Sequence, residues 1–490
     1  MLQIISRAAS FAENIAIVSN NQQYTFKDLL SRSESIASYL LAGKLDLMES
    51  RIAFMIEPSF DYVATQWAIW RAGGIAVPLC ITYPEEALLY VAEDTQCTQI
   101  IASSLYADLA LSVAIKANSH FSLVDDCIST VTDLPNIDES RKAMILYTSG
   151  TTSKPKGVVT THETITAQIK SLIEAWHWSS KDHTLCVLPL HHVHGIINVI
   201  GCAMWSGATC EFLPKFSPKE IFDKFLEGNI NVFMAVPTIY FKLIAYLDEQ
   251  QGSYKSNIKS ALEKFRLMVS GSAALPASVM GKWSSVSGHD LLERYGMTEI
   301  GMGISNPYVG VRKPGFIGTP LPGVQIRLTN EANIEVHGEP GEIQVKGKTV
   351  FSEYWGKPEA TASSFTTDGW FKTGDIAEII DGSFRILGRN STDIIKSGGY
   401  KISALEIEEC IRMEKNIIDC SVVGLPDDEW GELIAAALVA EKSFELGLMI
   451  ESLKNKLPGY KMPRKFKLLS DLPRNTMGKV TKNELKKIFI

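Results

Sequence analysis

The sequence predicts an α/β protein: a large N-terminal domain of mostly parallel sheets flanked by helices, with a small β-rich subdomain, plus a small mobile α+β C-terminal domain. Three observations lead to this prediction. Apolar runs of strand length alternate with helical patterns through the first half of the chain. Short alternating segments between turn residues begin near Pro314. The polar stretch GRNSTD then separates these segments from a further mixture of helix and strand patterns.

The first part contains strand–helix–strand units. Thr25 is a candidate N-cap for a helix that begins at Phe26. The apolar runs 51–56 and 75–79 predict buried strands, and the apolar segment 62–71 between them predicts a helix. This order favours a parallel sheet. The alternation continues with a helix predicted at 165–176 and strands at 184–188, 232–236 and 266–270.

The second half suggests where the domains divide. Strands are predicted at 324–328 and 341–345, in the β-rich subdomain. Helix, strand and helix follow at 404–413, 420–424 and 448–457. We therefore predict an N-terminal domain over residues 1–389, a hinge at 390–393 and a C-terminal domain over 394–490.

Length and composition exclude several classes of protein. A chain of 490 residues is expected to form two or three domains, and its net charge of −7 gives no reason to expect nucleic acid as the main partner. No apolar run reaches the length of a membrane span, and the start of the chain lacks a basic-then-apolar signal. None of the eight cysteines forms a Cys-x-x-Cys pair, so reduced thiols and a cytoplasmic location are predicted.

The segment YTSGTTSKPKGV, residues 147–158, predicts a phosphate-binding loop. It directly follows the apolar run 143–146, as a loop follows a strand. Hydroxyl groups and the backbone N–H groups near glycine can donate to phosphate oxygens. A Walker-type loop is excluded, because Gly150 lacks the required Gly-Lys-Ser/Thr five residues later. An ordinary surface turn is the alternative. The residues predicted to bind the nucleotide here are Thr148, Ser149, Gly150, Thr151, Thr152 and Lys156.

Three further residues suit nucleotide chemistry. Glu299, in a turn after Gly296 and Thr298, can hold Mg²⁺ against phosphate oxygens, although a helix-capping role is an alternative. The ring of Tyr295 can stack on a purine, or it can be a core aromatic residue. Asp375 can accept both ribose hydroxyls, or it can be a turn residue.

Five motifs, read with the loop, resemble those of the adenylate-forming enzymes, which include acyl-CoA synthetases, luciferases and peptide-synthetase adenylation domains. The resemblance covers essentially the full chain, and the motifs occur in the order typical of that family. They are LPLHHVHG (188–195), SGSAALP (270–276), ERYGMTE (293–299), WFKTGD (370–375) and PRNTMGK (473–479).

The resemblance implies a site for ATP, Mg²⁺ and coenzyme A. It assigns catalysis to Lys479, Glu299 and Thr298, with Lys479 stabilising negative charge near the α-phosphate. His192 is implied to line and close the acyl pocket. The remaining nucleotide and coenzyme A contacts implied in this way are Tyr295, Gly296, Asp375, Arg389, Gly398, Gly399 and Tyr400.

Longer strings are similar to the malonyl-CoA synthetases of mitochondrial and plant type, among them INVFMAVPTIYFKL and GRNSTDIIKSGGYKISALEIE. Malonate carries a second carboxylate, which would be costly to bury without a cation, and arginine suits it because its planar fork makes two bonds. Arg312, thirteen residues after Glu299, is the candidate. Basic residues before a Pro-Gly turn are common in the superfamily, which is the alternative explanation for Arg312. The other predicted acyl-site residues are His192, Ser272, Lys242 and Ser305.

Several alternatives remain open at this level. The substrate is malonate or methylmalonate by resemblance, but a ligase for another small acid fits the motifs as well. A free-standing adenylation enzyme that loads a carrier protein and an inactive nucleotide-binding relative are further alternatives.

The basic segment 451–490, with eleven Lys or Arg against three Asp or Glu, is either a solvated face or a surface for coenzyme A phosphates. Ser153 replaces a glycine typical of the loop, and Ser391 and Thr392 depart from the usual hinge.

Overall fold

The structure is a computed structural model that describes residues 2–129, 133–148, 155–213, 215–398, 400–474 and 479–489. Within these ranges the strands form four sheets, and helices pack between and around them. The α/β class predicted from the sequence is confirmed.

The longest of these sheets has a parallel centre. Its central strands run in the same direction, and antiparallel strands extend it at both edges. In spatial order its strands are Thr319–Pro320, Gly301–Ser305, Leu292–Met297, Leu267–Ser270, Val232–Ala235, His183–Cys186, Thr209–Phe212, Ile15–Ser19 and Gln22–Thr25.

A second mostly parallel sheet carries the strand that leads into the predicted phosphate loop. Its order is Glu353–Tyr354, Lys156–Thr161, Lys142–Thr148, Ile75–Pro78, Arg51–Met55, Gln99–Ala102 and His120–Leu123. The helix Phe60–Arg71 is almost wholly buried in the core next to this sheet. Its Trp70 indole donates a hydrogen bond to the carbonyl of Ala143 at 2.8 Å, which satisfies the one polar atom of a buried ring.

The other two sheets are smaller. An antiparallel sheet contains Gln325–Thr329, Gly341–Lys346, Phe371–Ile380 and Ser383–Arg389. The last sheet contains Tyr400–Ser403, Ile394–Ser397, Gly431–Ala440 and Ile417–Asp427, with Lys465–Leu468 parallel to Gly431–Ala440. Residues 390–393 connect the two sheets, where we predict the hinge. The hinge and the exact domain bounds stay predictions.

Helices cover the faces of these sheets. The α-helices are Gln3–Ala9, Phe26–Leu41, Phe60–Arg71, Glu85–Asp94, Ala107–Lys116, His162–Trp176, Cys202–Ser206, Pro218–Glu227, Pro237–Glu249, Ser253–Leu262, Ala277–Ser287, Pro358–Ser364, Ala404–Arg412, Leu446–Lys454 and Lys482–Phe489. In the described part of the chain, none of them has the length and apolar character of a membrane-crossing helix.

The sequence-based elements are found within a few residues of their expected ends, as is usual for helix and strand boundaries. Thr25 caps its helix with a reciprocal pair of bonds, in which its hydroxyl accepts from the Asp28 N–H and the Asp28 carboxylate accepts from the Thr25 N–H. The histidines of LPLHHVHG do not extend a strand, because that strand ends at Cys186 and a π-helical segment, His194–Gly201, begins within the motif.

Candidate active site

The site lies at the carboxyl ends of parallel strands, where ligands bind in open α/β sheets. The strand His183–Cys186 leads to the histidines of LPLHHVHG, and Leu267–Ser270 leads to Ser272. The strand Leu292–Met297 leads to Thr298 and Glu299. Because these strands belong to one sheet, three sequence motifs that are far apart along the chain end on the same edge.

A cavity of about 500 Å³ opens beside this edge. Its lining comes from both sides of the predicted hinge, which allows the two sides to enclose one ligand. The lining residues are Met297, Glu299, Tyr354, Phe371, Lys372, Thr373, Gly374, Arg389, Asn390, Ser391 and Lys396.

Glu299 is held in place at the cavity wall. Its side chain is buried, and its Oε1 accepts a hydrogen bond from the Tyr354 hydroxyl at 2.9 Å. The Phe351 N–H donates to the Glu299 carbonyl at 2.7 Å. Burial raises the pKa of the Glu299 carboxyl above its usual value, and the bond from Tyr354 opposes that rise. A positive ion beside Glu299 would restore the charged form.

A single carboxylate is a suitable protein ligand for Mg²⁺ at this position. Mg²⁺ usually takes one or two carboxylates and completes its shell with substrate phosphates and water. In the described residues, no group of three or more His, Cys, Asp or Glu side chains could hold a metal ion, so an all-protein cage is not formed there. Glu299 therefore fits an ion that arrives with a polyphosphate.

Asp375 links two other motif residues. Its Oδ2 accepts from the Tyr295 hydroxyl at 2.7 Å, and its Oδ1 accepts from Arg389 Nε at 3.0 Å. Each carboxylate oxygen keeps a lone pair that can accept from a ribose hydroxyl. Gly296, the residue after Tyr295, is tightly enclosed, because a Cβ there would lie 2.1 Å from the Gly301 carbonyl. Thr298 is half-buried in the turn that follows.

Lys479 faces this group from the other side of the predicted hinge. Its surface is exposed, yet the surrounding protein desolvates the ammonium and lowers its pKa. The positive charge of Arg389 lowers that pKa further, whereas the Asp375 carboxylate opposes the shift. The charge of Lys479 also contributes to lowering the pKa of His192. The Lys479 ammonium therefore interacts electrostatically with both Asp375 and His192.

The base of the phosphate loop contacts the same region. Lys156 Nζ lies 4.9 Å from the centroid of the Tyr354 ring, and Tyr354 also bonds Glu299. Thr148 ends the preceding strand. The other predicted loop residues, Ser149, Gly150, Thr151, Thr152 and Ser153, lie outside the described residues, as does Gly399 of the coenzyme A segment.

The residues beside Gly399 have clear positions. The Gly398 N–H donates to the Trp430 carbonyl at 2.9 Å, and Gly398 has a φ of +55°, in the left-handed region that favours glycine. Tyr400 is exposed and its ring stacks on Tyr460 with centroids 4.5 Å apart. These groups form a surface of the C-terminal sheet next to the predicted hinge.

On the acyl side, the structure reveals a residue that our sequence reasoning did not select. Arg294 is buried, its Nη2 donates to the Ser272 hydroxyl at 3.4 Å, and that hydroxyl lies 3.2 Å from His194 Nδ1. Its Nε has no hydrogen-bond partner among the described residues. Gly271 makes room for the guanidinium, since a Cβ there would lie 2.4 Å from its carbon. The signal in the sequence was the charged pair Glu293–Arg294 inside an otherwise apolar strand.

Burial favours the neutral forms of the ionisable side chains next to Arg294. It raises the pKa of the Glu293 carboxyl to about 8, so Glu293 is mostly protonated near neutral pH. Burial lowers the pKa of Arg294 to about 9, which still leaves the guanidinium charged. Burial also lowers the pKa of His191 to about 4 and that of His192 to about 3, and it lowers that of His194 as well. The cluster of Arg294, Ser272 and the motif histidines therefore combines neutral imidazoles with a buried guanidinium.

Of the other predicted acyl-site residues, Ser305 lies directly opposite Arg294 on the neighbouring antiparallel strand, whereas Arg312 and Lys242 make their contacts elsewhere. Arg312 lies near the amino end of the strand Leu292–Met297, where it donates to the carbonyls of Pro307, Asp290 and Tyr308. Lys242 is exposed, with Nζ 5.4 Å from the Phe216 ring.

Ser305 is buried and already paired. Its hydroxyl donates to the Asn306 carbonyl at 2.8 Å and accepts from Trp176 Nε1 at 3.0 Å. Substrate contact by Arg312, Lys242 or Ser305 stays a prediction of the sequence, and Arg294 is a further buried cation, opposite Ser305.

Comparison with known proteins defines the class. A family model described as "AMP-binding enzyme" matches residues 5–355, and one described as "AMP-binding enzyme C-terminal domain" matches residues 406–479. The chain belongs to the AMP-binding enzyme family, as its motifs indicated.

The relatives are similar over nearly their whole lengths. The chain is 42% identical to the mitochondrial malonate–CoA ligase ACSF3 of Homo sapiens, over 99% of this chain and 92% of that protein. It is 38% identical to the malonate–CoA ligase of Arabidopsis thaliana, over 98% and 87% of the two chains. The crystal structure of ATP-bound MatB from Rhodopseudomonas palustris is similar with a TM-score of 0.92 and 32% identity, covering 100% of this chain and 99% of that one. The resemblance to malonyl-CoA synthetases is confirmed.

Proposed function

We propose that this protein is an AMP-forming malonate–CoA ligase, which converts malonate, ATP and coenzyme A into malonyl-CoA, AMP and pyrophosphate. Full-length similarity to malonate–CoA ligases of animals and plants supports the reaction. The observation that carries the choice of a dicarboxylate is Arg294, a buried cation whose Nε is unpaired within the described residues. A second carboxylate is the group that such a cation is suited to hold.

The cost of burying an unpaired guanidinium favours a charged substrate over an apolar one. A buried charge without a partner is costly, and the cost falls when an opposite charge and hydrogen bonds are supplied together. Arg294 can bind a carboxylate through two N–H groups, with Ser272 and His194 available as further polar contacts. An acetate or fatty acyl group would leave the guanidinium desolvated and unpaired. The pocket therefore selects for malonate over monocarboxylic acids of similar size.

The first half-reaction forms the acyl-adenylate. The free carboxylate of malonate attacks the α-phosphorus of ATP, a new O–P bond forms, and pyrophosphate leaves. Glu299 would hold Mg²⁺ on the phosphates, which supplies positive charge there. Asp375 would accept the ribose hydroxyls, and its bonds to Tyr295 and Arg389 fix its orientation. Lys479 would stabilise the negative charge that develops at the α-phosphate.

The second half-reaction forms the thioester. The sulfur of coenzyme A attacks the acyl carbon, AMP leaves and the thiol proton is released. We propose that the C-terminal domain first rotates about the residues 390–393, withdrawing Lys479 and presenting Gly398, Gly399 and Tyr400 to the thiol. The basic residues of the segment 451–490 are suited to the phosphates of coenzyme A.

Two finer points belong to this proposal. Coenzyme A is the acceptor that the names of the relatives indicate, and a carrier protein gains no support from them.

A cytoplasmic location is supported by eight free cysteines, as expected in a reducing compartment, whereas one named relative is mitochondrial. Fractionation of cells that produce the full chain would test the location.

The activity is tested by measuring coenzyme-A-dependent AMP formation with malonate, methylmalonate, succinate, acetate and a medium-chain fatty acid. We expect malonate to give the highest kcat/KM, with methylmalonate within the roughly 10- to 200-fold range that one methyl group controls. A preference for acetate or for the fatty acid would contradict the dicarboxylate assignment. Acyl-AMP accumulation without thioester formation would instead favour a carrier-dependent enzyme.

A further inference from the structure

The helix Ala277–Ser287 begins directly after the SGSAALP motif and lacks a cap from its own segment. Its N-cap residue is Pro276, which makes no side-chain capping bond. The first N–H groups of a helix have no partners within the helix, so they need an acceptor from elsewhere. Here the Ala277 N–H donates to Glu409 Oε1 at 2.9 Å. The missing cap is thus supplied by a residue 132 positions away.

This capping contact joins the two family regions of the chain. Ala277 lies within the residues that match the AMP-binding enzyme, and Glu409 lies within those that match its C-terminal domain. Glu409 is on the helix Ala404–Arg412, which packs on the C-terminal sheet. A carboxylate at a helix amino terminus gains from both a charge-assisted hydrogen bond and the helix dipole. The contact therefore favours one docked orientation of the C-terminal region.

The docked orientation brings Lys479 to the nucleotide side. Lys479 and Glu409 both lie in the segment 406–479, so they move together if that region moves as a unit. In this orientation the charges of Arg389, Asp375 and Arg294 all act on the Lys479 ammonium. A contact that holds Glu409 in place thus also holds the cation in the site where adenylation is proposed.

The contact also lies next to the acyl pocket. The Leu275 N–H donates to Glu293 Oε1 at 2.9 Å, so the N–H groups on both sides of Pro276 are bonded to carboxyl groups. Glu293 immediately precedes Arg294 in the same strand. Arg412 Nη1, 3.9 Å from Glu409 Oε2, partly balances the charge of Glu409. The docking contact and the proposed carboxylate anchor therefore share one short stretch of backbone.

We propose that Glu409 is a positioning residue that docks the C-terminal region in the adenylation orientation by capping the helix Ala277–Ser287. Breaking this contact is then one step of the change from adenylation to thioester formation. The inference rests on the proposed two-step reaction, and it assigns no chemical role to Glu409 itself.

Two variants break the contact from opposite sides. Glu409→Ala removes the acceptor, and Ala277→Pro removes the donor while keeping a residue that is favoured at the first position of a helix. Glu414→Ala is the matched control, because Glu414 bonds Ser452 and Lys456 within the C-terminal region. Each full-length variant is measured in two assays. One is malonate-dependent exchange of pyrophosphate into ATP, and the other is single-turnover, AMP-dependent release of coenzyme A from malonyl-CoA.

We expect Glu409→Ala and Ala277→Pro each to slow pyrophosphate exchange about 3- to 10-fold, as for a partly exposed charged hydrogen bond. The release of coenzyme A should be unchanged or faster. The double variant should be no slower than the slower single variant, because both remove the same contact. Glu414→Ala should leave both rates within about twofold, since the Glu414 side chain bonds only Ser452 and Lys456 of the same region among its described contacts.

Equal losses in both half-reactions would show a general structural role and would overturn the proposal. Pyrophosphate exchange at the wild-type rate in Glu409→Ala would overturn it as well. Additive losses in the double variant would also contradict it. If the wild-type protein is inactive with malonate but active with another acid of the panel, the proposed function fails. The docking contact is then tested with that acid in the same two assays, so the two failures are distinguishable.

Discussion

The nucleotide side and the acyl side of the site are built in opposite ways. On the nucleotide side, the carboxylates are already paired, Asp375 with the Tyr295 hydroxyl and Arg389, and Glu299 with the Tyr354 hydroxyl. On the acyl side, Arg294 Nε and the Nε2 atoms of the three motif histidines have no hydrogen-bond partners among the described residues. The first region is organised before the ligand arrives, whereas the second is completed by the ligand.

This difference separates two kinds of prediction about variants. Removing a side chain from the nucleotide side is expected to lower the rate more than the substrate affinity. Removing the cation from the acyl side is expected to affect the choice of acid.

Lys479→Ala should have the largest effect on the rate of adenylation. Loss of a preorganised charge near the α-phosphate is expected to lower malonate-dependent pyrophosphate release by about 10²- to 10³-fold. ATP affinity, measured by calorimetry, should change little, because Asp375 and Glu299 remain. Unchanged pyrophosphate release would contradict the role given to Lys479 and weaken the description of the nucleotide side.

Arg294→Leu tests the acyl side. Removing one member of a buried charge pair should lower kcat/KM for malonate by about 10²- to 10³-fold, mainly through KM. Arg312→Leu is the matched control, because Arg312 bonds three backbone carbonyls away from the pocket. If Arg312→Leu raised the KM for malonate more than Arg294→Leu did, the sequence-based choice of Arg312 would be preferred.

Tyr354→Phe removes the hydroxyl that orients Glu299 while keeping the ring beneath Lys156. We expect a fall in kcat of about 3- to 10-fold, typical of one lost hydrogen bond to a charged group. The Mg²⁺ concentration that gives half-maximal activity should rise, because the Glu299 carboxylate is then less well placed. Half-maximal activity at an unchanged Mg²⁺ concentration would indicate that Tyr354 serves only packing.

The smallest expected effect concerns stability at acid pH. His162 is buried against Trp70, and burial lowers the pKa of its imidazole from 6.5 to about 3. Between pH 6.5 and about 3, His162 binds a proton in the unfolded chain but not in the folded one. The free energy of unfolding therefore falls as the pH decreases below 6.5. At pH near 5 this amounts to about 1–2 kcal/mol.

Urea unfolding at pH 7.5 and 5 should therefore show a smaller loss of stability for His162→Gln than for the wild type. His162 lies outside both halves of the site, so pyrophosphate exchange at pH 7.5 serves as the control for retained function. An identical loss of stability in both proteins would contradict the assigned pKa shift.

The sequence predicted the strands His183–Cys186 and Leu267–Ser270 because each is a short apolar run that ends close to a motif. The structure places both strands in one sheet with Leu292–Met297, so Ser272, Glu299 and His192 follow strands that end at the same edge. The same reasoning predicted the helix capped by Thr25, where the sequence pattern and the bond geometry agree.

Arg294, the proposed anchor for the second carboxylate, could not be found in this way. Whether an arginine is free to bind a ligand depends on its neighbours in space. Arg312 is engaged by carbonyls of its own loop and of Asp290, and Arg294 faces Gly271, which belongs to a different strand connection. The contact of Glu409 with Ala277 depends on how two regions of the chain dock. None of these three contacts can be deduced from the spacing of residues along the sequence.

We propose that Arg294 makes the acyl side selective for a second carboxylate. The most direct measurement is the ratio of kcat/KM for malonate to that for acetate, in the wild-type protein and in Arg294→Leu. We predict a ratio of at least about 10² in the wild type, falling to near one or below in the variant. A wild-type preference for acetate, or a ratio that Arg294→Leu leaves unchanged, would contradict the claim.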